Sequence, residues 1–414
     1  MNPESYIQLP IQATGTKVVV YFPNWAIYSR KYFVWDMDWN KITHINYAFA
    51  NVLPDGSISL LDPWADTDQR FIDHGDSWND PNENLFGNFN QLFKFKQNFR
   101  HVKVGLSLGG WTLSKYFSDA CSTPEGRKKL VGSSIKLMID LGLDFIDIDW
   151  EYPTEGGLDG NSHRPEDGEN YVKLLKEFRT QFLGLNFVPQ LSVAAPASKL
   201  YYRHWNIPQM CQLLDFVNIM TYDFSGSWSR KAGHQSNLYD YPNNEMNISV
   251  NETIVDWIKL GCPSEKIVMG MPIYGRSFEN TKGLGFPFTS PTVGTWEPGV
   301  FDYKKLPLAG SSEYYDVKSG ASYSYDSAKK ILVSYDTIPV VNQKLEYIRD
   351  LSLGGAMFWE ISADRPTNDP KSILSATYKY ISANMNIDAT PNNVLYPDSK
   401  YPNIRNSSNL AMYA

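Results

Sequence analysis

Short runs of apolar and β-branched residues recur along the whole chain, and between them the apolar positions change spacing. The runs cover residues 17–22, 42–51, 102–109, 145–152, 190–195, 216–222, 267–273 and 355–361. Each is short and either alternates or is almost continuously apolar, as a strand buried on both faces should be. Helical spacing fills several of the gaps. Thr123 stands as a cap with Pro124 at the first helical position. Leu130, Val131, Ile135 and Met138 then form one stripe, which Gly142 ends. Tyr171, Leu174, Leu175, Phe178 and Phe182 form a second stripe, closed by Gly184. Val341, Leu345 and Ile348 form a third, between Pro339 and Gly354. Eight buried strands alternating with helices predict an α/β fold, the (β/α)8 or TIM barrel. An open doubly wound sheet would carry a glycine-rich phosphate turn, and the chain has no G-x-G-x-x-G.

Two stretches break the repeat. Residues 62–90 are polar, rich in Asp and Asn, and contain Trp64 and Trp78. They read as a long loop after the second strand, on the face where barrel active sites lie. Residues 275–349 separate the seventh and eighth strands and hold β-rich runs at 321–325 and 331–335. They predict a small α+β insertion beside the barrel mouth. The expected organisation is an N-terminal extension (1–16), the first part of the barrel (17–274), the insertion (275–349), the last part of the barrel (350–386) and a C-terminal extension (387–414). That last stretch is rich in Asn, Pro and Ser and reads as surface-bound or disordered.

The fourth run carries the chemistry. Residues i, i+2 and i+4 of a strand share a face. Asp147, Asp149 and Glu151 therefore point one way, and Ile146, Ile148 and Trp150 the other. The apolar set suits the helix layer, so the acids face the barrel interior. Three like charges in a row cannot all ionise there, and chains rarely accept that cost without a function. Barrel strands run toward the active face, which places Glu151 nearest the mouth and Asp147 deepest. Glu151 is the candidate general acid, with neighbours that keep it protonated. Asp144 is out of phase and belongs at the strand's start, accepting backbone hydrogen bonds.

Composition narrows the field. A net charge of −7 and a pI of about 5.5 argue against a nucleic-acid partner. No run of 18 apolar residues predicts a membrane span. Aromatic residues reach 14%; they serve either core packing or a groove for the apolar faces of sugar rings. The three cysteines, Cys121, Cys211 and Cys262, are far apart in sequence and are expected as reduced, buried thiols. No CxxC, HExxH or His/Cys cluster points to a metal. Residues 1–16 are polar and unlike a secretory leader, so a cytoplasmic or non-classically exported protein is expected. Sequons begin at Asn247, Asn251 and Asn406.

The acidic spacing resembles glycoside hydrolase family 18, the chitinase family, whose signature is Asp-x-x-Asp-x-Asp-x-Glu. Asp144, Asp147, Asp149 and Glu151 match every acidic position. The family commonly has Gly after the first Asp. Here Phe145 stands there, in phase with the ladder, where it can fill the barrel floor. Further elements match in order: Tyr47 to Phe49, Ser107 to Trp111, Met220 to Asp223, Gly270 to Arg276 and Gly354 to Trp359. Together with the long insertion, they are most similar to the deep-cleft, bacterial-type branch found in fungi.

The resemblance implies hydrolysis of β-1,4-linked N-acetylglucosamine chains with retention, by substrate assistance, an exception to the two-carboxylate scheme. Glu151 would donate the proton. Asp149 would orient the acetamido group, Asp147 would exchange a proton or hydrogen bond with Asp149, and Tyr222 would bind the acetamido oxygen. The resemblance also implies Trp359 as the floor of the reacting subsite. Trp111, Met220, Asp223, Arg276 and Tyr47 would be pocket residues, Trp296 and Glu297 would line the cleft wall, and Ser107 would support Asp147. No cofactor, metal or protein partner is implied; the partner is the chitin or chito-oligosaccharide substrate. Two rivals share the barrel. A sugar-binding relative without turnover typically lacks the acid, which is present here. An endo-β-N-acetylglucosaminidase uses the same motif; the insertion and aromatic residues favour chitin.

Overall fold

A computed structural model describes residues 7–12 and 14–407. The parts of the two predicted extensions at residues 1–6, 13 and 408–414 lie outside the described residues. Among the described residues fourteen strands occur in chain order: β1 Lys17–Pro23, β2 His44–Val52, β3 Ile58–Leu60, β4 Lys103–Gly109, β5 Phe145–Asp149, β6 Gln190–Pro196, β7 Phe216–Met220, β8 Ile267–Pro272, β9 Tyr274–Phe278, β10 Val300–Asp302, β11 Ser312–Asp316, β12 Ala321–Asp326, β13 Ile331–Ser334 and β14 Gly355–Trp359. In the larger sheet β1 pairs in parallel with both β2 and β14, and the order β1-β14-β8-β7-β6-β5-β4-β2 closes a barrel of eight parallel strands. The short β3 hangs antiparallel on β2.

Strand alternation sorts the core into two layers. Val18, Val20, Ile45, Leu106, Ile146, Ile148, Val193 and Ile219 face outward and join the helices in the main apolar cluster. Val19, Tyr21, Ala48, Phe145, Phe216, Val268 and Met357 face inward and fill the barrel. Phe145 does fill the floor. Its ring needs Gly105, its register partner on β4, because a Cβ there would lie 2.3 Å from the ring.

The three predicted helical stripes appear as Pro124–Asp140, Asp167–Phe182 and Ile338–Asp350. Thr123 Oγ1 caps the first by accepting from Gly126 N at 3.0 Å. Strands β9 to β13 form a separate antiparallel sheet in the order β10-β9-β13-β12-β11. It occupies residues 274–334, beside the mouth. The helix Ile338–Asp350, placed in the insertion by sequence, instead packs on β14 and on the helix Ile373–Asn384, so it belongs to the barrel's outer ring.

The expectation of three reduced thiols is corrected. Cys211 and Cys262 form a disulfide, with Cα atoms 5.5 Å apart; Cys121 alone is free, and buried. The two partners are 51 residues apart in sequence and meet because the helix carrying Cys211 and the turn after the helix Val250–Lys259 flank the same part of the barrel.

Both terminal segments lie across the end of the barrel where the strands begin. Thr16 bridges to Ile387. Asn392 Nδ2 donates to Lys96 O and Val102 O, and Tyr396 is buried, its hydroxyl donating to Leu143 O at 2.8 Å. Asp144 anchors this end. One of its oxygens takes Lys96 Nζ at 2.7 Å and Val104 N at 2.8 Å; the other takes Asn393 N at 2.8 Å. Lys96 is fully buried. Removing its partner would strand a charge in the core. We predict that Asp144→Ala costs about 3–5 kcal/mol in urea or thermal unfolding; a loss below about 1 kcal/mol would show that the pair carries no such weight.

Candidate active site

β5 ends by lifting three acids in single file toward the mouth. Asp147 is deepest and fully buried. Four donors converge on it: Tyr21 Oη at 2.8 Å and Ser107 Oγ at 2.8 Å on one oxygen, Ser192 Oγ at 2.7 Å and Asn218 Nδ2 at 3.4 Å on the other. Burial raises its pKa, and these donors oppose the rise. Register explains the cluster, because Ser107, Asp147 and Ser192 lie on one rung of β4, β5 and β6.

Asp149 comes next, and its pKa is raised well above the ordinary carboxylate range, through burial first and then the carboxyls of Glu151 and Asp147. Its Oδ1 is buried and has no partner among the described residues. Asp149 therefore keeps a buried oxygen that no protein donor satisfies.

Glu151 sits at the rim. Burial pushes its pKa up to about 7, against the lowering influence of the nearby Tyr152 and Asp149. Its backbone is fixed: the amide donates to Ser114 Oγ at 3.0 Å, and the carbonyl accepts from Asn161 Nδ2 at 3.0 Å. Asp149 and Glu151 titrate as a unit, and such a unit holds a proton near neutral pH.

Around the acids lies an aromatic floor. Trp359, at the end of β14, is half-buried, with Tyr21 at 5.4 Å, Phe49 at 5.7 Å and Trp25 at 6.4 Å. Trp359, Phe49, Met220 and Tyr222 all pack on the barrel-filling cluster from above. The Tyr222 hydroxyl contacts only the Met357 sulfur, at 3.9 Å, among the described residues. Burial and then Asp149 raise its pKa, so it stays a neutral donor.

The walls come from loops and the insertion. Asp223, with φ of 60°, accepts from Tyr274 Oη at 2.6 Å and Arg276 Nε at 2.9 Å. This ties the end of β7 to β9. The Arg276 guanidinium lies 4.9 Å over the exposed Trp228 ring. Trp111 is half exposed, just past Gly109 and Gly110. A Cβ on Gly110 would press into Phe49. Trp296 is exposed, donates Nε1 to the Asp302 carboxylate at 3.0 Å, and carries Arg30 on its ring at 4.9 Å. Glu297 is exposed beside it and acts electrostatically on Arg276.

Tyr47 is a correction. It was expected in the pocket, but alternation along β2 turns it outward. It is fully buried, its ring is 4.2 Å from Phe89, and its hydroxyl donates to Asp66. A register shift between Ala48 and Ala50 accompanies the inward placement of Phe49, the neighbour that lines the floor instead. Tyr47 thus holds the 62–90 loop in place through Asp66. Sequence reasoning also passed over Tyr21, Ser192 and Asn218 beneath Asp147, Tyr152 beside Glu151, and Tyr274 and Trp228 at the wall. Tyr21 and Ser192 were findable from strand phase alone; Trp228, in a loop, carries no such signal. Among the described residues no group of three or more His, Cys, Asp or Glu is arranged to hold a metal ion.

Comparisons with known proteins bear on the same site. The sequence model of "Glycosyl hydrolases family 18" matches residues 17–364. Endochitinase 1 of Metarhizium robertsii is 40% identical over 403 residues, covering 95% of this chain and 91% of that protein. Chitinase 1 of Aphanocladium album is 38% identical over 408 residues, covering 96% and 92%. Among solved structures, the catalytic domain of psychrophilic chitinase B from Arthrobacter TAD20 aligns with a TM-score of 0.83 at 32% identity, covering 95% of this chain and all of that one. A barrel with its acids in line, a family match over most of its length and relatives this similar agree: the chain is a glycoside hydrolase and belongs to family 18.

Proposed function

We propose that the protein is a chitinase that cleaves β-1,4-linked N-acetylglucosamine chains with retention, using the substrate's own acetamido oxygen as nucleophile. One observation carries this reading. A buried carboxyl with a pKa near 7, Glu151, stands beside Asp149, whose free oxygen has no partner of its own. The nearest protein carboxyls, Asp149 and Asp147, lie below Glu151 on the same strand, an arrangement that supports a nucleophile supplied by the sugar. The names of the relatives support chitin as the polymer.

Glu151 gives its proton to the glycosidic oxygen as that bond breaks. The acetamido oxygen bonds to the anomeric carbon and forms an oxazolinium ion. Asp149 Oδ1 accepts the acetamido N–H, which orients the attack and offsets the positive charge that develops. The Tyr222 hydroxyl donates to the acetamido oxygen and fixes its direction. Water then attacks the anomeric carbon from the vacated side, Glu151 takes its proton, and the acetamido group is released. Two displacements on one carbon return the original configuration. Asp147, held by four neutral donors, exchanges a proton or hydrogen bond with Asp149 during the cycle. Trp359 supplies the apolar floor under the reacting ring.

Glu151→Gln keeps the shape and removes the acid; we expect oligomer hydrolysis to fall by roughly 10²–10⁴-fold with binding retained, and near-normal turnover would end the assignment. NMR of the first-formed product should show the β-anomer, whereas an initial α-product would exclude the acetamido pathway. kcat/KM should fall as pH rises through about 7, where Glu151 loses its proton. A group whose folded pKa is raised stabilises the fold below its unfolded pKa and loses that contribution as pH rises through the folded one. Relative to wild type, Glu151→Gln should therefore gain stability between about pH 4.5 and pH 7 in urea titrations. A pH-independent difference would contradict the raised pKa.

A further inference from the structure

At the end of the barrel opposite Glu151 lies a cavity of about 300 Å³. Lys17, Lys103 and Gln190 reach it from the strand starts. Gln12 and Thr14 of the N-terminal segment close one side, and the C-terminal segment from Asp388 closes the other. Lys17 is 2% exposed, and its ammonium lies over the Phe216 ring at 5.6 Å. Among the described residues it has no hydrogen-bonded or ion-pair partner. Burial works against its charge, and Asp388 and Asp215 offset that cost through space without contacting it.

The surrounding carboxylates are already engaged. Asp144 takes Lys96, Val104 N and Asn393 N. Asp215 takes Arg179 at 2.6 Å and Leu191 N at 2.7 Å. Asp388 accepts from Thr390 N and its hydroxyl, and sits 3.7 Å from Lys103. Lys103 spends one hydrogen on Thr390 O at 2.7 Å. Lys266, a further cation near Lys17, is held by two carbonyls, Cys211 O and Leu214 O. His44 is neutral, its pKa pushed down to about 3 by burial, and its Nε2 meets Gln190 Oε1 at 2.9 Å. That bond uses the oxygen of Gln190 and leaves its amide hydrogens facing the space. The cavity therefore holds Lys17 and Lys103 against Asp388, with one positive charge in excess and several donors unspent.

We propose that this cavity is a binding site for a small oxyanion, a carboxylate or a phosphate, held by Lys17, Lys103 and the Gln190 amide. A bound anion would join both terminal segments to the barrel floor, about a barrel's length from the reacting acids. Its effect is on the stability of the termini, with the chemistry left alone.

The test uses the full chain and two probes, sodium phosphate and sodium acetate, against sodium chloride at equal ionic strength. In thermal melts we expect a saturable rise of roughly 1–3 °C with at least one probe, and the probe that acts identifies the class. Lys17→Met should abolish the rise and keep wild-type turnover. A wild-type rise no larger than with chloride, or an equal rise in Lys17→Met, would overturn the proposal. Should that variant fail to fold, NMR on wild type decides. Saturable broadening of the phosphate ³¹P or acetate methyl signal supports the site, and its absence with both probes rejects it.

Discussion

Three carboxyl groups on alternate residues of one strand share less space than three ionised acids tolerate. That conflict governs the rest of the site. The deepest acid, Asp147, is satisfied by four neutral donors drawn from β1, β4, β6 and β7. The middle acid, Asp149, has a buried oxygen without a donor, and Glu151 above it helps raise its pKa. Glu151 in turn is held near neutrality by burial. Each protonation state follows from the one beneath it. Each depends on the barrel being closed, since an open sheet would let water solvate the row.

The mouth depends on a second set of ties. Asp223 at the end of β7 meets Tyr274 and Arg276 on β9, and Arg30 after β1 covers Trp296 in the insertion. The separate sheet is thus joined to the barrel by charged and aromatic contacts at the cleft itself. Trp228 and Trp296 stay partly exposed at these contacts, under Arg276 and Arg30.

The barrel and its acidic ladder were legible because both follow from periodicity. A run of apolar residues marks a strand, and a period of two puts Asp147, Asp149 and Glu151 on one face. Contacts between strands obey register, which a single strand's pattern does not reveal. Hence Asn218 was missed, whereas Tyr47, placed in the pocket by the resemblance, is turned outward by alternation within its own strand. The Cys211–Cys262 pair was missed for the same reason, since 51 intervening residues hide a distance of 5.5 Å. The helix Ile338–Asp350 was recognised by its stripe, but its partners, β14 and the helix Ile373–Asn384, decide to which body it belongs.

The contact between Gly105 and Phe145 bears on how such a chain can change. A ring on β5 occupies the volume that a side chain on β4 would need. Neither position is free to vary while the other stays fixed: a larger residue at 105 collides, and a smaller one at 145 leaves a void beneath the ladder. The floor can therefore be rebuilt only by exchanging bulk across the rung. A chain with glycine at 145 would need its bulk on the neighbouring strand, and a change made on one strand alone would leave either a clash or a hole.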